Sequence, residues 1–164
     1  MVALSTYDQL HKFSAETSQI VRYVYFRSLV RAEQDLGPIK TKLAPLGEVG
    51  HGFFDAVRGI YAASKERDGT SFFVKLYRHG DPKEILAASD KFKKEAYRST
   101  VDDYERGFLI CWEIALKTLA ELKENYPDYP LKDEPQPANQ KVEVEESAFE
   151  VAPRKKAKAS SKAD

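Results

Sequence analysis

Residues 99–124, STVDDYERGFLICWEIALKTLAELKE, decide the fold. Val101, Tyr104, Phe108, Cys111, Ala115, Leu119 and Leu122 recur at steps of three and four, the period of one helix face. Ile110, Trp112, Ile114 and Leu116 widen that face beyond a narrow seam. The stretch holds no proline and one glycine. As a helix it would run roughly 37 Å at about 1.5 Å per residue. So broad an apolar face needs other elements to bury it. Asp102 and Asp103 sit where carboxylates would meet the positive end of its dipole.

The preceding segments read as the elements that do this. Asp81-Pro82-Lys83-Glu84 is a helix start, with Asp81 capping, Pro82 at the first position and Glu84 at the third. That helix is expected to reach about Arg98, with Ile85, Ala88 or Ser89, Phe92, Ala96 and Ser99 inward, Leu86 and Tyr97 to the side, and Lys91, Lys93, Lys94 and Glu95 in solvent. Thr70–Gly80, TSFFVKLYRHG, fits either period, and a short helix is favoured because a lone strand has no partner. From Glu48, the residues Val49, Phe53, Val57, Ile60 and Ser64 define one helix face. Beside it Gly52, Ala56, Gly59 and Ala63 form a small-residue stripe that lets a neighbouring helix come close. Asp68-Gly69 ends this helix.

The N-terminal third reads as one helix from about Thr6 to Asp35, opened by Ser5 or Thr6. Leu10, Phe13, Thr17, Ile20, Val24 and Arg31 form one line, and Val21, Tyr25, Ser28, Leu29 and Ala32 a second. Ile20–Val30 is also rich in β-branched and aromatic residues, which favour strands. Helix is kept because both flanks are helical. Apolar groups almost all round this helix predict a central position or contact with a second chain. Gly37 and Pro38 are expected to stop it, leaving residues 38–47 as a connector.

Composition changes at Tyr126. YPDYPLKDEPQPAN carries four prolines, and its two tyrosines are placed to fold back onto the body. Beyond it, few large apolar groups and segregated charge predict disorder. The expected organisation is therefore an all-α, four-helix-type bundle over residues 1–126 with a short fifth element. Residues 127–164 form a Pro-rich, then acidic and basic, disordered tail.

The 164 residues contain 26 basic and 26 acidic side chains. The tail from Tyr126 carries 7 basic and 8 acidic of them, leaving 19 and 18 in the body. Neither part has a large net field, so bulk attraction to DNA or to an acidic membrane is not supported. The single cysteine, Cys111, lies on the apolar face and reads as a buried hydrophobe. No secretory signal and no apolar run of spanning length are read, so an intracellular location, cytoplasmic or nuclear, is expected.

No catalytic set assembles from the sequence. His11, His51 and His79 share no metal-ligand spacing, and neither a metal nor a cofactor is expected. His51 and Asp55, four apart, read as a local polar pair. Asp102, Asp103 and Glu105 read as helix-start carboxylates rather than acid–base groups. Gly47, Gly50 and Gly52 do not follow the dinucleotide pattern. The most specific short feature is basic: Arg154, Lys155, Lys156 and Lys158, with Ser160 and Ser161 nearby to lower the charge if phosphorylated.

These readings favour a non-enzymatic interaction or adaptor module over an enzyme. It would dock a partner protein or a second copy of itself through apolar helix faces. The candidate partner residues are Arg22, Tyr23, Phe26 and Arg27 in the first helix, and Gly52, Ala56, Gly59 and Ala63 in the stripe. The alternative is a nucleic-acid-associated protein using the basic tail and the first-helix arginines, whose affinity would fall steeply with salt.

Overall fold

The computed structural model describes residues 2–130, with side chains from residue 7. Among the described residues the protein is all-helical, with seven α-helices, one short 3-10 turn and no strand. Met1–Pro130 forms one compact unit. The predicted disorder of the tail from Leu131 lies outside the described residues.

The helix read from residues 99–124 is α7, Asp103–Asn125. It starts where Asp102 accepts a hydrogen bond from the Glu105 N–H at 2.8 Å, which satisfies one of the free donors of the first turn. Ile110, Cys111, Ala115, Leu116, Leu119 and Leu122 are buried. Burial pushes the Cys111 thiol pKa up.

α6, Pro82–Ala96, packs along α7 and opens with the predicted capping box, complete on both sides. It ends at Ala96, short of the expected Arg98, and Ser99, expected inward, is exposed beyond its end. The reason lies across the turn. The Arg106 guanidinium donates to the carbonyls of Ala96, Arg98 and Val101 at 2.9, 3.3 and 3.2 Å. The first of these bonds satisfies a carbonyl left open at the end of α6, and the other two hold the α6–α7 connection.

The ambiguous segment is helical: α5 spans Phe72–His79. Its last carbonyls, on Leu76 and Tyr77, accept from the Lys123 ammonium at 3.0 and 2.8 Å. Lys123 is buried, and that burial lowers its pKa, with Asp81 opposing.

α4, Glu48–Glu66, buries every member of the predicted face: Val49, Phe53, Val57, Ile60 and Ser64. It crosses α7 where two glycines meet. A Cβ on Gly52 would overlap the Tyr104 carbonyl, and one on Gly107 would overlap the Val49 carbonyl. The two helices run in opposite directions at this crossing.

The single N-terminal helix expected from Thr6 to Asp35 is three helices: α1 Val2–His11, α2 Ser14–Tyr25 and α3 Leu29–Leu43. The second break falls at Arg27, whose φ is 62°. A non-glycine residue rarely adopts this left-handed geometry. Its guanidinium donates to the Ser64 carbonyl at 2.8 Å, tying the corner to α4. The expected stop at Gly37-Pro38 is also corrected, because α3 runs through both residues to Leu43 and the 3-10 turn Ala44–Leu46 follows. Both residues lie on the exposed side of α3, where nothing packed is disturbed. The predicted inner lines hold in part, because Arg31 is exposed and Phe13, Ser28 and Leu29 are half-buried. Leu10, Thr17, Ile20, Val21, Val24, Tyr25 and Ala32 are buried.

Tyr126 and Tyr129 fold back onto α2. Tyr25 donates to the Tyr126 carbonyl at 2.6 Å, and Tyr129 donates to the Phe26 carbonyl at 2.9 Å. The ring of Phe26 meets those of Tyr126 and Tyr129 edge-on at 5.2 and 5.1 Å.

Candidate functional site

An aromatic shelf forms where α5, α6 and α7 meet. Phe92 stacks on Trp112 at 5.7 Å and 18°. Phe72 leans against both rings, 5.8 Å from Trp112 and 6.2 Å from Phe92. Each ring is placed by a local reason. Phe72 opens α5 beside its cap Ser71, Phe92 lies one turn beyond Ser89 on α6, and Trp112 borders the buried face of α7. Phe72 remains 46% exposed, and Leu86 on α6 is 45% exposed. Beside the shelf lies a cleft of about 500 Å³. Its apolar lining is Phe72, Ala87, Ala88 and Phe92, and its rim carries Glu84, Asp90, Lys91 and Lys94. Asp90 and Lys94 pair at 3.2 Å, and Glu84 is engaged in the α6 capping box.

The candidate partner residues of the first helix do not gather on one open face. Arg22 is exposed. Tyr23 is half-buried, with the Arg31 guanidinium 6.0 Å from its ring centre. Phe26 is packed by the C-terminal tyrosines, and Arg27 is bonded to α4. Most of the apolar excess that suggested a second chain is covered from within, because α2 packs on α7, α3 and α4, while Val30 at the start of α3 stays 70% exposed.

The small-residue stripe is divided. Gly52 and Ala56 are buried, and α7 is the neighbour that comes close at Gly52. Beyond the crossing, Gly59 is exposed with open space where a Cβ would lie, and Ala63 is half-buried. The basic residues Arg154, Lys155, Lys156 and Lys158 lie outside the described residues.

The predicted pair of His51 and Asp55 forms, at 3.6 Å. Asp55 also accepts from the Tyr104 hydroxyl at 2.5 Å and from Arg58 at 3.1 Å. The Tyr104 bond chiefly lowers the Asp55 pKa against the opposing effect of burial, with Arg58 and His51 helping. Asp102 is taken up in capping α7, and Asp103 faces Arg106 at 3.4 Å. Among the described residues no group of three or more His, Cys, Asp or Glu side chains could hold a metal ion.

One polar centre escaped the sequence reading. Glu113 is 1% exposed in the middle of α7. Tyr7 donates to its two oxygens at 3.0 and 3.2 Å, and His11 Nε2 lies 3.7 Å away. Burial raises the Glu113 pKa, but bonds from His11 and Tyr7 and the charges of His11 and Lys117 outweigh it, so the net direction is down. A signal existed: Glu113 stands three residues from Ile110 and from Leu116, both inward. Its partners stand more than a hundred positions away in α1, where no spacing rule reaches.

Among the described residues no helix is long and apolar enough to cross a membrane. No family model matches the chain, and neither a curated protein nor a solved structure matches it.

Proposed function

We propose that this protein is a non-enzymatic interaction module, a bundle of helices around α7 that docks a partner protein on the shelf of Phe72, Phe92 and Trp112. The observation that carries this reading is Phe72, nearly half exposed while leaning edge-on or tilted against two further aromatic rings. Covering apolar surface is worth about 25 cal/mol per Å², and aromatic anchors dominate protein interfaces. Ala87 and Ala88 leave room beside the rings for an apolar side chain of the partner. The rim supplies the polar border that such contacts have.

The same rim weighs against the nucleic-acid reading at this site. Glu84 and Asp90 cancel Lys91 and Lys94, so no track of uncompensated cations follows the cleft. Phosphate binding depends on such a track.

A photo-cross-linking side chain at position 72, with a control at the exposed position of Gln34, tests the proposal. A protein captured from 72 but not from 34, and no longer retained by a Phe72→Glu chain, is the expected result. Equal retention by the Phe72→Glu chain would remove the shelf as the docking face. Salt-sensitive retention of nucleic acid, unchanged by Phe72→Glu, would favour the alternative reading.

A further inference from the structure

The two breaks in the N-terminal third differ in what holds them. Arg27 takes a left-handed φ of 62° and bonds the Ser64 carbonyl, so the α2–α3 corner is locked. The α1–α2 break at Lys12-Phe13 has neither device. Phe13 has φ −95° and ψ 9°, roughly 30° and 50° from a regular α-helix. Its N–H bonds the Leu10 carbonyl at 3.0 Å, and its own carbonyl accepts from the Thr17 N–H at 2.9 Å. No glycine or proline occurs in residues 2–25. Phe13 also leaves the first turn of α2 without a side-chain cap. Straightening the break would join α1 and α2 into one helix. The amide groups of that first turn would then find partners in the last carbonyls of α1.

What bends the chain at Lys12-Phe13 is therefore the seat of α1. This helix packs on α7 and α4. Leu10 is fully buried there, and the Tyr7 hydroxyl donates to the Glu113 carboxylate, 3.0 and 3.2 Å from its two oxygens. The Tyr7 ring lies 5.2 Å from that of Tyr97. The seat thus takes a hydroxyl donor and an apolar side chain three residues apart, which one helical turn places on one face. A second copy of α1 carries the same pair in the same order.

We propose that this chain pairs with a second copy of itself by exchanging α1. The Lys12-Phe13 turn straightens, residues 2–25 become one helix of roughly 36 Å, and each α1 takes the seat on the other copy's α7. Each copy then supplies Tyr7 and Leu10 to the other's Glu113 centre, and the reciprocal exchange closes a two-fold dimer. Every bond of the seat is kept, between chains instead of within one. The joined helix adds backbone bonds, and association costs entropy. A chain's own α1 competes at the effective concentration of a short tether, in the millimolar range, so the dimer belongs to concentrated protein. The shelf of Phe72, Phe92 and Trp112 takes no part.

Sedimentation of the full chain, refolded at about 1 mM and at about 1 μM to bracket that range, tests the exchange. A dimer at the higher concentration only is expected, and a monomer at both overturns it. Lys12 is exposed, so Lys12→Gly leaves packing untouched. Glycine disfavours the joined helix about fivefold at each of two hinges, so the dimer dissociation constant should rise about 25-fold. An unchanged constant overturns the exchange. In a dimer refolded from isotope-labelled and unlabelled chains, NMR contacts between the rings of Tyr7 and Tyr97 should run from one chain to the other. Contacts confined within a chain overturn it. Phe72→Glu should leave the dimer intact. Loss of the dimer in that variant would assign self-association to the shelf and overturn the exchange.

Discussion

Gly52 and Gly107 set the separation of α4 and α7. Each presents a bare Cα to a backbone carbonyl of the other helix, so neither has a flexible neighbour that could yield to a methyl group. Small-residue stripes matter only where two backbones meet, and the same stripe contains its own control. Gly52→Ala is expected to cost about 3 kcal/mol or more, at or above the usual limit for overpacking because backbone must move. Gly59→Ala, with open space where the methyl would go, should stabilise by about 1 kcal/mol through helix propensity. Urea unfolding of the two variants checks both signs, and a neutral Gly52→Ala would contradict the close crossing. The residue pattern made the stripe legible. It left open whether the approaching helix belonged to the same chain. Glu113 shows the opposite limit: its inward position was legible, but the tyrosine and histidine that stabilise its charge come from a distant helix.

At the scale of elements, the N-terminal third shows why helix breaks are harder to read than helix faces. The buried lines through Leu10, Thr17, Ile20, Val24 and Ala32 keep their period across breaks at Lys12-Phe13 and Phe26-Ser28. No glycine or proline marks either break. The second depends on Arg27 accepting a left-handed backbone that its bond to Ser64 helps to hold, a tertiary cause invisible to local sequence. Where proline does occur, at Pro38, the helix continues. Pro38 lacks the N–H that would bond the Gln34 carbonyl, and the Thr41 hydroxyl bonds the neighbouring Gly37 carbonyl at 3.2 Å. Pro38→Ala would restore the missing bond on an exposed face. The change also frees the unfolded chain, which offsets part of the gain. A net stabilisation of roughly 1 kcal/mol is expected, below the full cost of a proline in a helix interior. A lower thermal midpoint in Pro38→Ala would mean that α3 depends on the proline in some other way. The aromatic shelf was illegible for a related reason: Phe72, Phe92 and Trp112 belong to three helices, and only their packing makes them one surface.

For the whole molecule, α7 is the common neighbour of α6, α4 and α2, and the chain closes behind it. Residues 126–130 return to α2, so the compact unit extends past the composition change at Tyr126 to Pro130. The proline-rich composition there excluded a continuing helix, and the tyrosines supplied the hint of a return. Their seat could not be read, because it is built from Tyr25 and Phe26 together, with Tyr77 edge-on against Tyr25. Tyr25 is fully buried, its pKa pushed up to about 12 by that burial, and its hydroxyl donates to the Tyr126 carbonyl. Ending the chain at residue 125 would strand that donor. An unpaired buried polar group costs about 1–3 kcal/mol. The lost contacts of Phe26 with Tyr126 and Tyr129 add roughly 0.5–1.5 kcal/mol for each aromatic pair. A chain of residues 1–125 should therefore unfold at distinctly lower urea than one of residues 1–130. The denaturant slope should change little, since few residues are removed. Tyr129→Phe within residues 1–130 separates the two contributions, because it removes the bond to the Phe26 carbonyl and keeps the ring. Its loss should be the smaller one. If residues 1–125 and 1–130 unfolded together, the aromatic return would carry no stability, and α7 would suffice to close the helical unit.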